Sequence, residues 1–104
     1  EDSYKFSPTA IDTNVFPATV ALKQNFPNPF NPQTYIQFTL SAKEKVTLKI
    51  YSIIGEEMET LVNDVLEPGA YQIPVHAENY SSGIYFYRLT AGKFSETKKM
   101  VLVK

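Results

Sequence analysis

The chain has 104 residues and a net charge of −1, with seven Tyr, seven Phe, no Trp and no Cys; 43% of it is hydrophobic and 13% aromatic. This composition allows one small domain with a real core, and it excludes disulfides, thiolate catalysis and cysteine metal sites. Near-neutrality gives no global field for nucleic acid or an anionic membrane, and no apolar run approaches the roughly 18 residues that a bilayer span needs.

Residues 1–19, "EDSYKFSPTAIDTNVFPAT", are polar, contain Pro8 and Pro17 and keep no sustained period, so they read as a linker or arm. Glu1, Asp2 and Asp12 against Lys5 make the arm net −2. Within it, "IDTNVF" (Ile11 to Phe16) is expected to lie as a short strand against the body. No signal peptide opens the chain, so any export signal is expected to lie upstream or to be absent. Residues 20–104 are expected to form one domain.

The next stretch, "QNFPNPFNPQT" (Gln24 to Thr34), packs three prolines, three asparagines and two phenylalanines into eleven residues. Pro27, Pro29 and Pro32 fix φ and bias Phe26, Asn28 and Asn31 toward extended conformations. Asn25, Asn28 and Asn31 suit side-chain bonds to nearby backbone amides. Phe26 and Phe30 then acquire fixed directions. Two readings follow: a rigid crossover pinned to the core by its phenylalanines, or a recognition loop that shows them to a partner. Aromatics at this spacing pack more often than they bind.

From Thr34 a period of two takes over. Ile36, Phe38 and Leu40 in "TYIQFTL" alternate with Gln37 and Thr39, and Val46, Leu48 and Ile50 in "KVTLKIY" alternate with Thr47 and Lys49. That is the pattern of half-buried strands, joined here by the polar "SAKEK". Gly55 in "IIGEE" stands where a hairpin wants positive φ. "EMETLV" (Glu57 to Val62) reads as a weaker strand whose alternation breaks near Leu61, a bulge position. After the Pro68-Gly69 turn, Tyr71, Ile73 and Val75 alternate, and Pro74 among them marks an edge strand or a bulge. "GIYFYRLTAG" (Gly83 to Gly92) is apolar on both faces and predicts a central strand covered on two sides. A tight turn at Gly92 leads into "FSETKKMVLVK". About seven short strands with turn signals every 8–12 residues predict an all-β, immunoglobulin-like antiparallel sandwich.

The last stretch is basic: Lys93, Lys98, Lys99 and Lys104 stand against Glu96 alone. Lysines on an edge strand resist edge-to-edge pairing; they also suit a recognition rim.

Enzyme chemistry finds little material. His76 is the one histidine and has no marked nucleophile or orienting carboxylate beside it. Zinc needs three or four ligands. Glu56, Glu57, Glu59, Asp64 and Glu67 lack the dense oxygen spacing of a calcium loop and read as solvated turn residues. No glycine-rich phosphate loop occurs. Tyr71, Tyr80, Tyr85 and Tyr87 supply material for a sugar platform, although tyrosines in so apolar a strand also fit core packing with wet hydroxyls.

The motif set carries a resemblance. "LKQNFPNPFNPQTYIQFTL", "VTLKIYSIIGEEMETLV" and "EPGAYQIPVHAENYSSGIYFYRLTAGKFSETKKMVLVK", in that order, resemble the C-terminal sorting domain of the type IX (Por) secretion system over about Ala21 to Lys104. The run Asn25, Phe26, Pro27, Asn28, Pro29, Phe30, Asn31, Pro32 is specific. So is the ordered set of Ile50-Tyr51 with Gly55, Pro68-Gly69, Ser82-Gly83-Ile84-Tyr85 and the Lys-Lys-Met-Val-Leu-Val-Lys end. The resemblance implies an immunoglobulin-like sandwich at the end of a protein secreted by Bacteroidetes or related phyla. It implies export to the periplasm, reading by an outer-membrane translocon, cleavage by a sortase-like cysteine peptidase, and release or attachment at the cell surface. It implies no cofactor and no catalysis, with a cargo domain N-terminal to residue 1. On it, Lys98, Lys99, Met100, Val101, Leu102, Val103 and Lys104 belong to the signal the translocon reads, as a basic strand with an unpaired edge. The family is similar to the immunoglobulin-like domain of a flagellar hook-capping protein, which often has Trp-Asp-Gly before the late Ser-Gly; here His76-Ala77-Glu78-Asn79 stands there, without Trp. The residues leave one alternative: a carbohydrate-binding or structural accessory module of a multidomain secreted enzyme.

Overall fold

The computed structural model describes Thr9–Ala10 and residues 19–104. They form eight strands: β1 (Thr9–Ala10), β2 (Ala21–Leu22), β3 (Gln33–Leu40), β4 (Glu44–Tyr51), β5 (Glu57–Leu66), β6 (Gly69–His76), β7 (Gly83–Ala91) and β8 (Phe94–Leu102). One sheet has the order β1-β6-β3-β2 and the other β5-β4-β7-β8, with every neighbouring pair antiparallel. Without the two-residue β1 this is the seven-stranded immunoglobulin-like sandwich expected from the alternation.

The period of two explains the two faces. Ile36, Phe38 and Leu40 of β3, Val46, Leu48 and Ile50 of β4, Ile73 and Val75 of β6, and Tyr87 and Leu89 of β7 meet in one core. Each large apolar side chain so buried stabilises the fold by roughly 1.5–3 kcal/mol. The chain crosses between sheets after β3, β5 and β6, so the first sheet holds the three N-terminal strands with β6, and the second holds β4 and β5 with the two C-terminal strands.

Two glycines do work that other residues would do badly. Gly55, at φ 90°, closes the β4–β5 turn, where its N–H donates to the Ser52 carbonyl at 2.9 Å. Gly92, at φ 59°, turns β7 into β8, and a Cβ there would lie 2.6 Å from Oε1 of Glu44.

The irregularity expected in β5 is a bulge at Leu61: Leu48 faces Val62, Lys49 faces Thr60, and Leu61 is skipped. A second irregularity skips Met58 between Glu59 and Glu57. Pro74 sits opposite Tyr35, whose N–H and C=O both bond to Phe26 on the far side of β3. The proline nitrogen therefore points away from β3, toward the outer side of β6, where β1 reaches only Gln72 and Tyr71. The strand is interior in order but an edge at the proline.

Two expectations need correction or lie out of reach. β7 is central, but only Tyr85, Tyr87, Leu89 and Ala91 are in the core; Ile84 and Phe86 are half-buried and Arg88 is exposed on the outer face. The second apolar face is thus a patch on the surface, since no third layer covers this sheet among the described residues. The Ile11–Phe16 strand falls outside the described residues. Within the arm, Thr9 and Ala10 pair with Gln72 and Tyr71 of β6.

Candidate functional site

Two stretches 73 residues apart meet: the proline-asparagine loop and the last strand. The Phe30 N–H donates to the Val101 carbonyl at 2.9 Å, and the Val103 N–H donates to the Phe30 carbonyl at 2.9 Å, in a parallel bridge facing Leu102. Asn28 Oδ1 accepts from the Val101 N–H at 2.9 Å, and Gln24 Nε2 donates to the Lys99 carbonyl at 2.7 Å. The loop runs along the outer edge of β8 as a strap. The edge from Lys99 to Val103, expected to be unpaired, is therefore covered. The strap satisfies the backbone groups that an exposed edge would leave open.

The loop itself is held from below. Among the described residues Asn25 and Thr34 are the buried polar ones, at 2% and 0% exposure. Asn25 Nδ2 donates to Thr34 Oγ1 at 3.0 Å and to the Pro27 carbonyl at 3.1 Å; Thr34 Oγ1 donates to the same carbonyl at 2.8 Å. The Tyr87 hydroxyl donates to the Lys23 carbonyl and accepts from the Asn25 N–H, both at 2.8 Å. Burial, chiefly, pushes the Tyr87 hydroxyl up to about 12, with the Asn25 N–H pulling the other way and Glu96 adding to the rise. Among the described residues no buried side-chain N or O lacks a partner, as a polar network inside a sandwich requires. The Phe26–Pro27, Asn28–Pro29 and Asn31–Pro32 bonds are cis.

Asn28 thus acts over longer range than expected: it bonds to a strand distant in sequence instead of to its neighbours, while Asn25 also bonds locally, to the Pro27 carbonyl. The phenylalanines divide: Phe30, 2% exposed, is in the core, whereas Phe26, 79% exposed, stands beside Tyr35 on the outer face of the first sheet.

The terminal strand also divides. Met100 and Leu102 are core residues. Lys98 pairs with Glu96 at 3.2 Å. Lys99 and Val103 are exposed and Val101 half-buried on the outer face. The Lys104 N–H donates to Ser82 Oγ at 3.0 Å, and its Nζ donates to the Glu78 carbonyl at 2.6 Å. The basic rim exists, but on two faces rather than one.

The outer face of the second sheet holds what the sequence reading missed. Arg88 lies over the Tyr51 ring, 5.8 Å from its centroid, and its Nε donates to Thr97 Oγ1 at 3.1 Å. With Phe86 and Gly55 these residues line a shallow cavity of about 290 Å³. One signal was present: Arg88 is the only charge in the most apolar strand of the chain.

The four tyrosines proposed for a sugar platform are engaged elsewhere. Tyr71 donates to the Glu67 carbonyl at 2.7 Å and stacks on Phe38, and Tyr85 donates to the Ser81 carbonyl at 2.6 Å. Tyr80 donates to Glu59 Oε1 at 2.6 Å, and burial followed by that carboxylate pushes its hydroxyl above the usual range. They do not share an open plane. The acidic residues are dispersed: Glu57 pairs with Lys49 at 3.2 Å and Glu67 with Lys43 at 3.7 Å. Among the described residues no group of three or more His, Asp or Glu is placed to hold a metal. No helix among them is long and apolar enough to cross a membrane.

These features define a class: a small antiparallel β-sandwich whose chemistry lies on its surface and at one strapped strand. Residues 24–104 match the family model for secretion system C-terminal sorting domains. The chain belongs to that family, the sorting domains of type IX secretion. No curated protein and no solved structure matches it.

Proposed function

We propose that this domain is the non-catalytic address by which an exported cargo is passed through the type IX outer-membrane translocon, and that the unit read is β8 with its strap. One observation supports this most. Two of the stretches that carry the family resemblance, Asn25–Pro32 and Lys98–Lys104, form one hydrogen-bonded surface although they are far apart in sequence. On this reading residues 20–104 are the address and 1–19 the arm in which a sortase-like peptidase cuts before release or surface attachment.

The test is a fusion. Residues 1–104 are placed at the C-terminus of a periplasmic fluorescent reporter in a host with a type IX system, with and without the translocon. Reporter is expected at the surface or in the medium only when the translocon is present. Reporter held in the periplasm with the domain folded overturns the reading and turns attention to an accessory module. Removing Met100–Lys104 is expected to abolish export; because Met100 and Leu102 are core residues, its folded state is measured alongside.

A further inference from the structure

The outer face of the second sheet is basic, although the chain as a whole is not. Among the described strand residues, Lys45, Lys49, Arg88 and Lys99 point outward there, and Glu57 is the one carboxylate that does, already paired with Lys49. Glu96 points the other way and is held by Lys98.

Arg88 is prepared for an anion. The guanidinium carbon lies 5.8 Å from the Tyr51 ring centroid and Nε donates to Thr97 Oγ1, which leaves the terminal nitrogens unpaired by any carboxylate among the described residues. A guanidinium held this way offers a carboxylate two parallel bonds at little ordering cost.

The adjacent edge is open in one half. Val101 turns both backbone groups toward the strap, so Lys99, Thr97 and Ser95 turn theirs the same way, while Met100, Lys98 and Glu96 face β7. The strap takes the Lys99 carbonyl, both backbone groups of Val101 and the Val103 N–H. At Ser95 and Thr97 no partner is present among the described residues. A strand added there would lie beside Thr97, and Arg88 already reaches across to that residue.

We propose that an acidic, extended segment of a partner protein adds as a strand along Ser95–Thr97 and sets a carboxylate on Arg88. The inference rests on the sorting reading and assigns the translocon's contact to this face. Charge complementarity selects the partner's chemistry, and the open backbone selects polypeptide over other anions. The strap sets the register by closing the other half of the edge.

Two measurements test it. The first titrates the 104-residue chain with a blocked hexapeptide of alternating glutamate and valine, following backbone amide shifts. Shifts are expected at Ser95 and Thr97, weaker with added salt. Arg88→Glu is expected to lower the affinity about tenfold, the scale of one lost charged pair, and a lysine–valine peptide should not bind. Absence of shifts at Ser95 and Thr97 overturns the proposal.

The second measures export of the reporter fusion with Arg88→Glu and Thr97→Pro, whose melting temperatures are compared with the parent's. Loss of export in both, with folding kept, supports the proposal. Export of both at parental level overturns it and leaves the sorting role standing. Loss with Arg88→Glu alone indicates an anionic glycan or lipid held by charge, and overturns strand addition. Should the parent itself not be exported, the sorting reading fails, while the peptide titration still decides whether this face binds acidic strands.

Discussion

The Asn25–Pro32 loop and the Ser52–Glu56 turn both lack regular structure, and each carries two large apolar residues. Their fates differ. The turn leaves Ile53 and Ile54 at 63% and 77% exposure, while the loop leaves Phe26 at 79% but buries Phe30. The burial of Phe30 follows from where the backbone bonds go. The turn closes on itself, with the Ser52 N–H on the Glu56 carbonyl and the Gly55 N–H on the Ser52 carbonyl. The loop bonds outward, to Tyr35 on one side and to Val101 and Val103 on the other. An irregular segment that satisfies its own backbone is separable from the fold; one that satisfies a distant strand replaces a strand of the sheet.

This contrast is easiest to break at Phe30. Phe30→Ala empties a core site and loosens the strap at once, and should cost roughly 3–5 kcal/mol in chemical denaturation. A loss near that of a surface change would show that the strap is not part of the cooperative unit. Asn25→Ala should come next, at roughly 1–3 kcal/mol, because Thr34 and the Pro27 carbonyl stay buried after their partner is removed.

A pH series sharpens the same point. Tyr87 ionises near 10 in the unfolded chain and is pushed up to about 12 in the folded one. The stability its neutral hydroxyl contributes is full below pH 10 and is lost as the pH rises from 10 through 12. Tyr71 and Tyr80, also raised, act with the same sign. Stability curves over that window should fall less steeply for Tyr87→Phe than for the parent. At the small end, Ile53→Ser with Ile54→Ser should move stability by no more than about 0.5 kcal/mol in either direction, measured by thermal melts; a larger loss would mean that the turn is tied to the sheet after all.

Most of the sandwich was legible because one buried face imposes a period of two. Ile36, Phe38 and Leu40 announce their face, and Gly55 and the break at Leu61 announce a turn and a bulge without outside help. Pro74 was half-legible: the missing N–H marks an edge, but only the pairing of Tyr35 with Phe26 shows on which side. The strap was legible as a rigid loop and not as a partner of β8, because local rules for asparagine and proline concern neighbours, and Asn28 bonds across the whole chain. For the same reason Phe26 and Phe30 looked alike in sequence. The Arg88 site was hidden more deeply. Tyr51, Arg88 and Thr97 come from three strands, and their meeting depends on the registers of β4 with β7 and β7 with β8, which no single segment states.

The bond between Asn28 and Val101 has a consequence in time. Gln24 to Phe30 emerge early from a ribosome or a membrane pore, but their partners at Lys99 to Val103 arrive last, 73 residues later for this pair. Until then Phe30 has no strand to lie on, and the core lacks Met100 and Leu102. Contacts between such distant residues make sandwiches slow to fold, on the order of milliseconds to seconds. A chain delivered from its N-terminus therefore carries this domain open through most of its passage, and the strap closes only once the last strand is through.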